Sequence, residues 1–323
     1  MICRAVVALL LCFFVVSDTA GLSYNFYQNT CPDAEKIVAD IVKNKIFFDF
    51  RWSPRLLRLQ FHDCFITGCD ASILLDATPS GDKVEKEHKS HETLHGFEVV
   101  KDVKEELEKK CPGVVSCADI IVFAVREAIV NMGVDHFPVV SGRRDRRASL
   151  ASNVEPNIPG EYDSVEKSAK LFASKGFSLD EMIILLGSHS TGVAHCPSIE
   201  KRLYGEDTDK YPAMTTALKW MLNLQCPAIT ANSLNENLFV LLTPMSIGRL
   251  SNSFYNSLLS NRGILASDQA LTEYPPSEKT VKVLAENDSV WKQEFIKAMQ
   301  KLGTVDVLTG DQGEIRKQCS RVN

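Results

Sequence analysis

RLQFHDCFITGCDASILLD, residues 58–76, gathers a guanidinium, an imidazole, two cysteines five positions apart and a run of oxygen-bearing side chains into one short segment. Leu56, Leu57 and Phe61 recur at helical spacing, which places Arg58 and His62 four apart on one face of a helix, able to work on a single small target. Burying an arginine and a histidine beside Leu57, Leu59 and Phe61 is costly unless they serve a ligand, although an ordinary surface pair is the competing reading. Immediately downstream, Asp63, Asp70 and Ser72 offer side-chain oxygens, and backbone carbonyls near Ile66 and Gly68 complete a cage of the kind calcium favours. A Cys64–Cys69 disulfide would fix that cage in place.

Working outward, residues 1–20 have the form of a removed secretory signal. Arg4 precedes an apolar run from Ala5 to Val16, and Thr19-Ala20-Gly21 supplies small residues for cleavage after 20 or 21. The run is too short to span a bilayer. Of the ten cysteines, Cys3 and Cys12 leave with the signal, and the remaining even number in an exported chain predicts disulfides whose connectivity the spacing fixes only for the shortest bridge. The net charge of −5 gives no electrostatic reason to expect nucleic acid.

Helical period dominates the mature chain. Ala34, Ile37, Val38, Ile41, Val42 and Ile46 form one stripe; Phe97 to Leu107, Val114 to Met132, Tyr162 to Lys175, Leu179 to Leu186 and residues 215–224, 250–261, 277–287 and 288–301 form others. Thr78 to Glu92 lacks apolar period and is expected to be an exposed loop. The absence of repeats or long linkers predicts a mostly α single domain. The run Leu179–Leu186 leads into Gly187-Ser188-His189-Ser190-Thr191-Gly192, where His189 is either a metal ligand or a satisfied core histidine.

RLQFHDCFITGCDASILLD resembles the distal signature of the secretory plant (class III) haem peroxidases, and LLGSHSTGVAHC resembles their proximal one. The likeness extends through NFYQNTCP at the start of the mature chain, VSCAD at 115–119, GRRD at 142–145, GILASDQ at 263–269 and Cys319. It implies an all-α, plant-type haem peroxidase fold over residues 22–323, with one haem b held between distal and proximal helical halves. By position, His189 resembles the axial iron ligand and Asp268 the acceptor for its other ring nitrogen. His62 resembles the distal acid–base residue and Arg58 the group that stabilises charge on the departing oxygen of hydrogen peroxide. The implied disulfides are Cys31–Cys111, Cys64–Cys69, Cys117–Cys319 and Cys196–Cys226, and Asp119 with Arg143 is similar to the family's buried ion pair. The distal calcium site carries over as Asp63, Ile66, Gly68, Asp70 and Ser72, with Glu85 acting through water. Pro159 matches the residue at the substrate-access edge, with Tyr162 beside it. The donors implied are small phenols, in lignin, suberin, defence or auxin-related oxidation, and the protein is expected to be monomeric and secreted to the extracellular space or wall.

The sequence departs from the family pattern in several places. Thr243 and Ser251 stand where the proximal calcium site should have carboxylates, and Ser190 and Ser246 keep only hydroxyls. Without those charges no proximal calcium is expected, with Arg249 filling part of the space. The asparagine that should orient the distal histidine is missing from the shortened segment Lys89-Ser90-His91-Glu92, which makes Ser90 or Glu92 the expected replacement and a slower reaction with peroxide the expected result. A metal cluster of His88, His91 and His95 is a weaker reading than a solvated loop. Glu161 and Ile199 are expected to alter the access channel. The rival to an active enzyme is a haem-retaining extracellular binding protein with weakened activity. Asn287-Asp288-Ser289 is the one glycosylation sequon.

Overall fold

The computed structural model describes residues 21–205, 208–228 and 238–323, so the expected signal at 1–20 lies outside the described residues. Helix α1 (Ala34–Phe48) buries Ala34, Val38, Val42 and Ile46, the stripe dictated by 3.6-residue spacing. α2 (Trp52–Ile66) carries Arg58 and His62, and packs with α1, α3 (Phe97–Lys110) and α4 (Cys117–Asn131) into one half of the molecule. α4 is buried on every face from Cys117 to Ile129, as its nearly continuous apolar composition requires. Its amino end is satisfied by polar groups: the Ser116 hydroxyl accepts from the Asp119 N–H at 3.1 Å, and the Asp145 carboxylate accepts from the Cys117 and Ala118 N–H groups at 3.1 and 2.9 Å.

After the short α5 (Val154–Asn157) and α6 (Val165–Ser174), α7 (Leu179–Leu186) begins with a Ser178–Glu181 capping box and runs directly into a 3-10 turn, Gly187–Ser190. The chain continues through α8 (Glu200–Tyr204), α9 (Thr216–Gln225), α10 (Ser253–Leu259), α11 (Ala266–Gln269), α12 (Pro275–Glu286) and α13 (Asp288–Leu302). α7, α10, α12 and α13 pack on one another as the second half. The Tyr255 hydroxyl and the Trp291 indole N–H donate to the carbonyls of Ile183 and Ile184 at 3.0 and 3.1 Å, occupying the last-turn acceptors of α7. A large hydrophobic cluster runs through both halves, and a smaller one gathers Ile199, Leu203, Leu222 and Val240.

Two sequence expectations need correction. β1 (Val193–His195) pairs antiparallel with β2 (Phe239–Leu241), a contact that three-residue strands cannot announce through alternation. Thr78–Glu92 is not simply exposed: it contains 3-10 turns at Glu85–Glu87 and Lys89–His91, and Glu85 and His91 are buried. Their burial rests on hydrogen bonds rather than apolar faces, so no hydrophobic period marks it. Ile199 is wholly buried in the smaller cluster.

The four disulfides are those the resemblance implied, Cys31–Cys111, Cys64–Cys69, Cys117–Cys319 and Cys196–Cys226. The two longest loops they close, with sequence separations of 80 and 202, each restrict the unfolded chain by about 4–5 kcal/mol on a chain-entropy argument. The basic run 143–147 is structural. Arg143 Nη1 meets Asp119 Oδ1 at 2.6 Å with both side chains buried, and Arg143 also donates to the carbonyls of Val140 and Gly303. Arg144 donates to the Gln312 carbonyl, Arg146 pairs with Asp70, and Arg147 lies 3.3 Å from Glu314. Among the described residues no helix is long and apolar enough to cross a membrane.

Asp119 also accepts from the Tyr27 hydroxyl at 2.6 Å and from the Gly142 N–H at 2.7 Å. Replacing its partner, Arg143→Met, strands a buried carboxylate and is expected to lower the unfolding free energy by about 3–5 kcal/mol in guanidinium titrations, whereas Arg143→Met with Asp119→Leu is expected to cost less. Equal losses for the single and double variants would refute this account of the pair.

Candidate active site

His62 lies on the buried face of α2, with Leu59, Asp63 and Ile66 as buried neighbours. Its Nδ1 is 2.9 Å from His91 Nε2, and His91 Nδ1 is 2.6 Å from the backbone carbonyl of Glu85. The replacement for the missing asparagine is therefore His91; Ser90 and Glu92, the two expected candidates, are both exposed. Burial, followed by the charge of Arg58 and the neighbouring His91, holds the His62 pKa well below the ordinary imidazole value. This is opposite in direction to the more basic His62 that a Glu92 partner would produce. Burial likewise brings His91 down to about 4.

Arg58 projects from the same side of α2 and pins the segment bearing His91. Nη1 donates to the carbonyl and hydroxyl of Thr93, each at 3.0 Å, and Nη2 donates to the Ser90 carbonyl at 3.1 Å. Among the described residues its Nε–H has no acceptor. Desolvation by surrounding protein lowers Arg58 to about 10, yet its side chain is solvent-accessible.

In the second half of the molecule, His189 occupies the 3-10 turn after α7, with Nδ1 2.9 and 3.0 Å from the two carboxylate oxygens of Asp268 on α11. Burial pushes its pKa down, but the charge and hydrogen bond of Asp268 outweigh that and raise it. The His189 side chain keeps 30% of its surface accessible although Asp268 is buried at 3%. The charge of Arg58 makes a smaller contribution to the His189 pKa, in the lowering direction. With Nδ1 committed to Asp268, only Nε2 of His189 is free to bind a metal, and that donor chemistry fits a haem iron.

The oxygen cage lies directly behind α2. Asp63 Oδ2 accepts from the Ala71 N–H at 3.2 Å, and Ser72 donates through N–H to Asp70 Oδ1 and through its hydroxyl to Glu85 Oε2, both at 3.0 Å. Asp63 Oδ1 and Glu85 Oε1 are buried without a hydrogen-bond partner. Burial and the charge of Asp70 raise the Asp63 carboxyl well above the usual range and push Glu85 to about 8. Two orphaned oxygens beside carboxyls whose pKa values are raised by burial and neighbouring negative charge mark a place short of positive charge, which fits calcium. Gly68 has φ +119°, and an added Cβ there would lie 2.2 Å from the Asp306 carbonyl oxygen, so the turn beside Ile66 demands glycine. Arg146, which no sequence pattern singles out, supplies part of the missing charge through Asp70. Among the described residues no three His, Cys, Asp or Glu side chains converge as a metal cluster, and His88, His91 and His95 make none.

The suspected proximal cation site is filled by hydroxyl chemistry. Thr243 donates to the His189 carbonyl at 3.0 Å, Ser246 bonds Ser251 at 2.8 Å, Ser251 bonds Ser253 at 2.7 Å, and the Ser251 N–H donates to Ser190 at 3.1 Å. These groups satisfy one another without net charge. Arg249 does not fill the space: its side chain is exposed, with the guanidinium over Gly133. Pro159 is half-buried, and the Tyr162 hydroxyl accepts from the Lys201 N–H at 3.1 Å.

A family model described as Peroxidase matches residues 35–287. Peroxidase 5 of Vitis vinifera is 39% identical over 98% of this chain and 96% of its own length. Peroxidase 36 of Arabidopsis thaliana is 39% identical over 95% of this chain and 89% of its own, and Peroxidase 3 of the same plant is 38% identical over the whole of both. With a Peroxidase family match over most of the chain and near-complete coverage by plant relatives, the chain belongs to the peroxidase family, in its plant class III branch, and is a hydrogen-peroxide-dependent oxidoreductase.

Proposed function

We propose that the protein is a secreted enzyme that uses one haem b to reduce hydrogen peroxide at the expense of two small phenolic donors, giving two waters and two donor radicals. The observation that carries this reading is the pair of imidazoles whose Nδ1 atoms are both engaged, His62 by His91 and His189 by Asp268, while Arg58 lies within electrostatic reach of both. When bound, haem supplies the redox chemistry, taking two oxidising equivalents from peroxide and passing them on one at a time. His189 Nε2 is the group to hold the iron, and Asp268 strengthens that imidazole as a donor.

His62 Nε2 accepts the proton from the peroxide oxygen that is retained and gives it to the other, departing oxygen, which leaves as water rather than hydroxide. The low pKa of His62 keeps it neutral and ready to accept. Arg58, with an Nε–H left over after pinning Thr93 and Ser90, stabilises negative charge as the O–O bond separates. Pro159 and Tyr162 border the donor entry, Asp63, Ile66, Gly68, Asp70, Ser72 and Glu85 hold one calcium, and the hydroxyl network of Ser190, Thr243, Ser246 and Ser251 holds none. The rival reading, a binding protein with weakened activity, draws no support from these contacts, since His91 and the hydroxyl network stand in for the two missing supports. We also assign residues 1–20 as a removed signal, 22–323 as a single monomeric domain, and Asn287 as a glycan site; its side chain is exposed while its Oδ1 caps α13.

The purified protein is expected to be brown with a Soret band that shifts on adding one equivalent of peroxide, and to oxidise guaiacol. His62→Leu is expected to slow the reaction with peroxide by about 10²–10⁴-fold while the later oxidation of guaiacol changes little. A colourless protein, or a His62→Leu variant at wild-type rate in stopped flow, would remove the proposal.

Elemental analysis is expected to find one calcium per haem. Chelation should expose the carboxyl cluster to linkage: Glu85 has an ordinary pKa of 4.5 and is raised to about 8 in the fold, so the folded state binds the extra proton between those values. The chelated protein is therefore expected to lose stability as pH rises from about 4.5 towards 8, and calcium is expected to restore it. Thermal midpoints at pH 5 and pH 8, with and without calcium, check this; equal midpoints after chelation would contradict it.

A further inference from the structure

The geometry points to His91 as the positioning residue that sets which nitrogen of His62 carries the proton, an inference that rests on the peroxidase reading of the site. The assignment starts at Glu85, whose backbone carbonyl can only accept. The 2.6 Å contact therefore requires a proton on His91 Nδ1. A neutral His91 then has a lone pair at Nε2, and the 2.9 Å contact with His62 Nδ1 requires the proton to lie on His62. Neutral His62 is left with a bare Nε2, the state a base needs.

The reverse assignment fails on the same contacts. A proton donated from His91 Nε2 to His62 would leave two lone pairs facing each other at Glu85, unless His91 carried both protons. That second proton would create a buried cation near Arg58 with no carboxylate in hydrogen-bond contact. An amide side chain in this position would present a fixed carbonyl acceptor; the imidazole of His91 is an acceptor only because Glu85 occupies its other nitrogen. The tautomer of the catalytic base is thus fixed two hydrogen bonds away, at a main-chain oxygen.

The segment holding His91 is built to keep it there. The 3-10 turn Lys89–His91 is closed by the His91 N–H donating to the His88 carbonyl at 2.8 Å, and the Leu94 N–H donates to the His91 carbonyl at 2.9 Å. Arg58 binds the carbonyls on both sides of it, at Ser90 and Thr93. The His91 ring sits edge-on to the His62 ring, centroids 4.9 Å apart and planes at 70°, and only 3% of the residue is exposed. Free rotation of either ring would break a contact with nothing to replace it.

The test compares three variants of the haem-loaded protein. His91→Leu, which removes the acceptor, is expected to slow the reaction with peroxide by about 10–100-fold and to weaken cyanide binding, read from the Soret band, by about 10-fold, because bound cyanide also needs its proton taken up nearby. His91→Asn, which restores an acceptor, is expected to recover both to within about threefold of wild type, and Glu92→Gln to leave both unchanged. Should His91→Leu match wild type, or His91→Asn fall as far as His91→Leu, the assignment is overturned. A neutron map of the wild-type protein, with or without haem, decides it without any variant: deuterons on Nδ1 of both His62 and His91 are expected, and one on His62 Nε2 in their place would overturn it. A wild-type protein that takes up no haem would instead count against the peroxidase reading, which the neutron map of the histidine pair does not depend on.

Discussion

Two imidazoles with one nitrogen occupied and the other free are the constraint on which the architecture depends. A histidine ring is a useful ligand or base only if its tautomer and plane are fixed, and both are set by what its second nitrogen touches. For His189 that partner is a carboxylate, which adds electron density and raises the pKa. For His62 it is a neutral imidazole, which orients without adding charge and leaves the ring easy to keep deprotonated. The same residue type is pushed in opposite directions on the two sides, and the difference comes from the neighbours alone.

Holding these rings requires rigid supports, and the support differs between the two halves. His62 rides on a helix packed against the buried α4, so its backbone is fixed by apolar contact. His189 sits in a tighter turn, where an added Cβ on nearby Gly187 would lie 2.5 Å from both Trp291 Nε1 and Tyr255 Oη. Those two aromatic groups press against the end of α7 and take its last carbonyls. The glycine is present for space rather than for unusual φ, because it permits two large polar-tipped rings to reach the helix end. Packing and polar satisfaction thus act through the same atoms.

Most of the helical frame is legible because apolar side chains at 3.6-residue spacing leave a trace in one dimension. α7 is readable to both of its observed ends, since a capping box opens it and glycine follows it. The cysteine pairing and the Asp268 partner come through family likeness, not through spacing, because long-range pairing leaves no local trace. His91 escapes a reading of the sequence for a physical reason. It lies in a segment whose burial is secured by hydrogen bonds, and a buried imidazole among Lys89, Ser90 and Glu92 looks like any solvated loop. The recoverable signal is chemical: losing an asparagine acceptor requires another acceptor nearby, and among the residues of that short segment an imidazole is able to supply one. Arg146 escapes similarly, because a basic run reads as surface until its carboxylate partner is located.

The two oxygen-rich regions behind the histidines carry this reasoning one step further. The two differ in how much negative charge they carry. Behind His62, the carboxyls of Asp63, Asp70 and Glu85 are buried, two of their oxygens have no partner, and burial together with the charge of Asp70 raises the pKa values of Asp63 and Glu85, which marks a shortage of positive charge. Behind His189, hydroxyls replace the carboxylates, and because each hydroxyl can donate as well as accept, Ser246, Ser251 and Ser253 complete a chain of hydrogen bonds among themselves. A carboxylate can only accept, so a cluster of carboxylates cannot close in that way and must import a cation or hold protons. In the proximal turn the exchange replaces acceptors by donor–acceptor groups, and the Thr243 bond to the His189 carbonyl attaches the network to the residue that it has to hold.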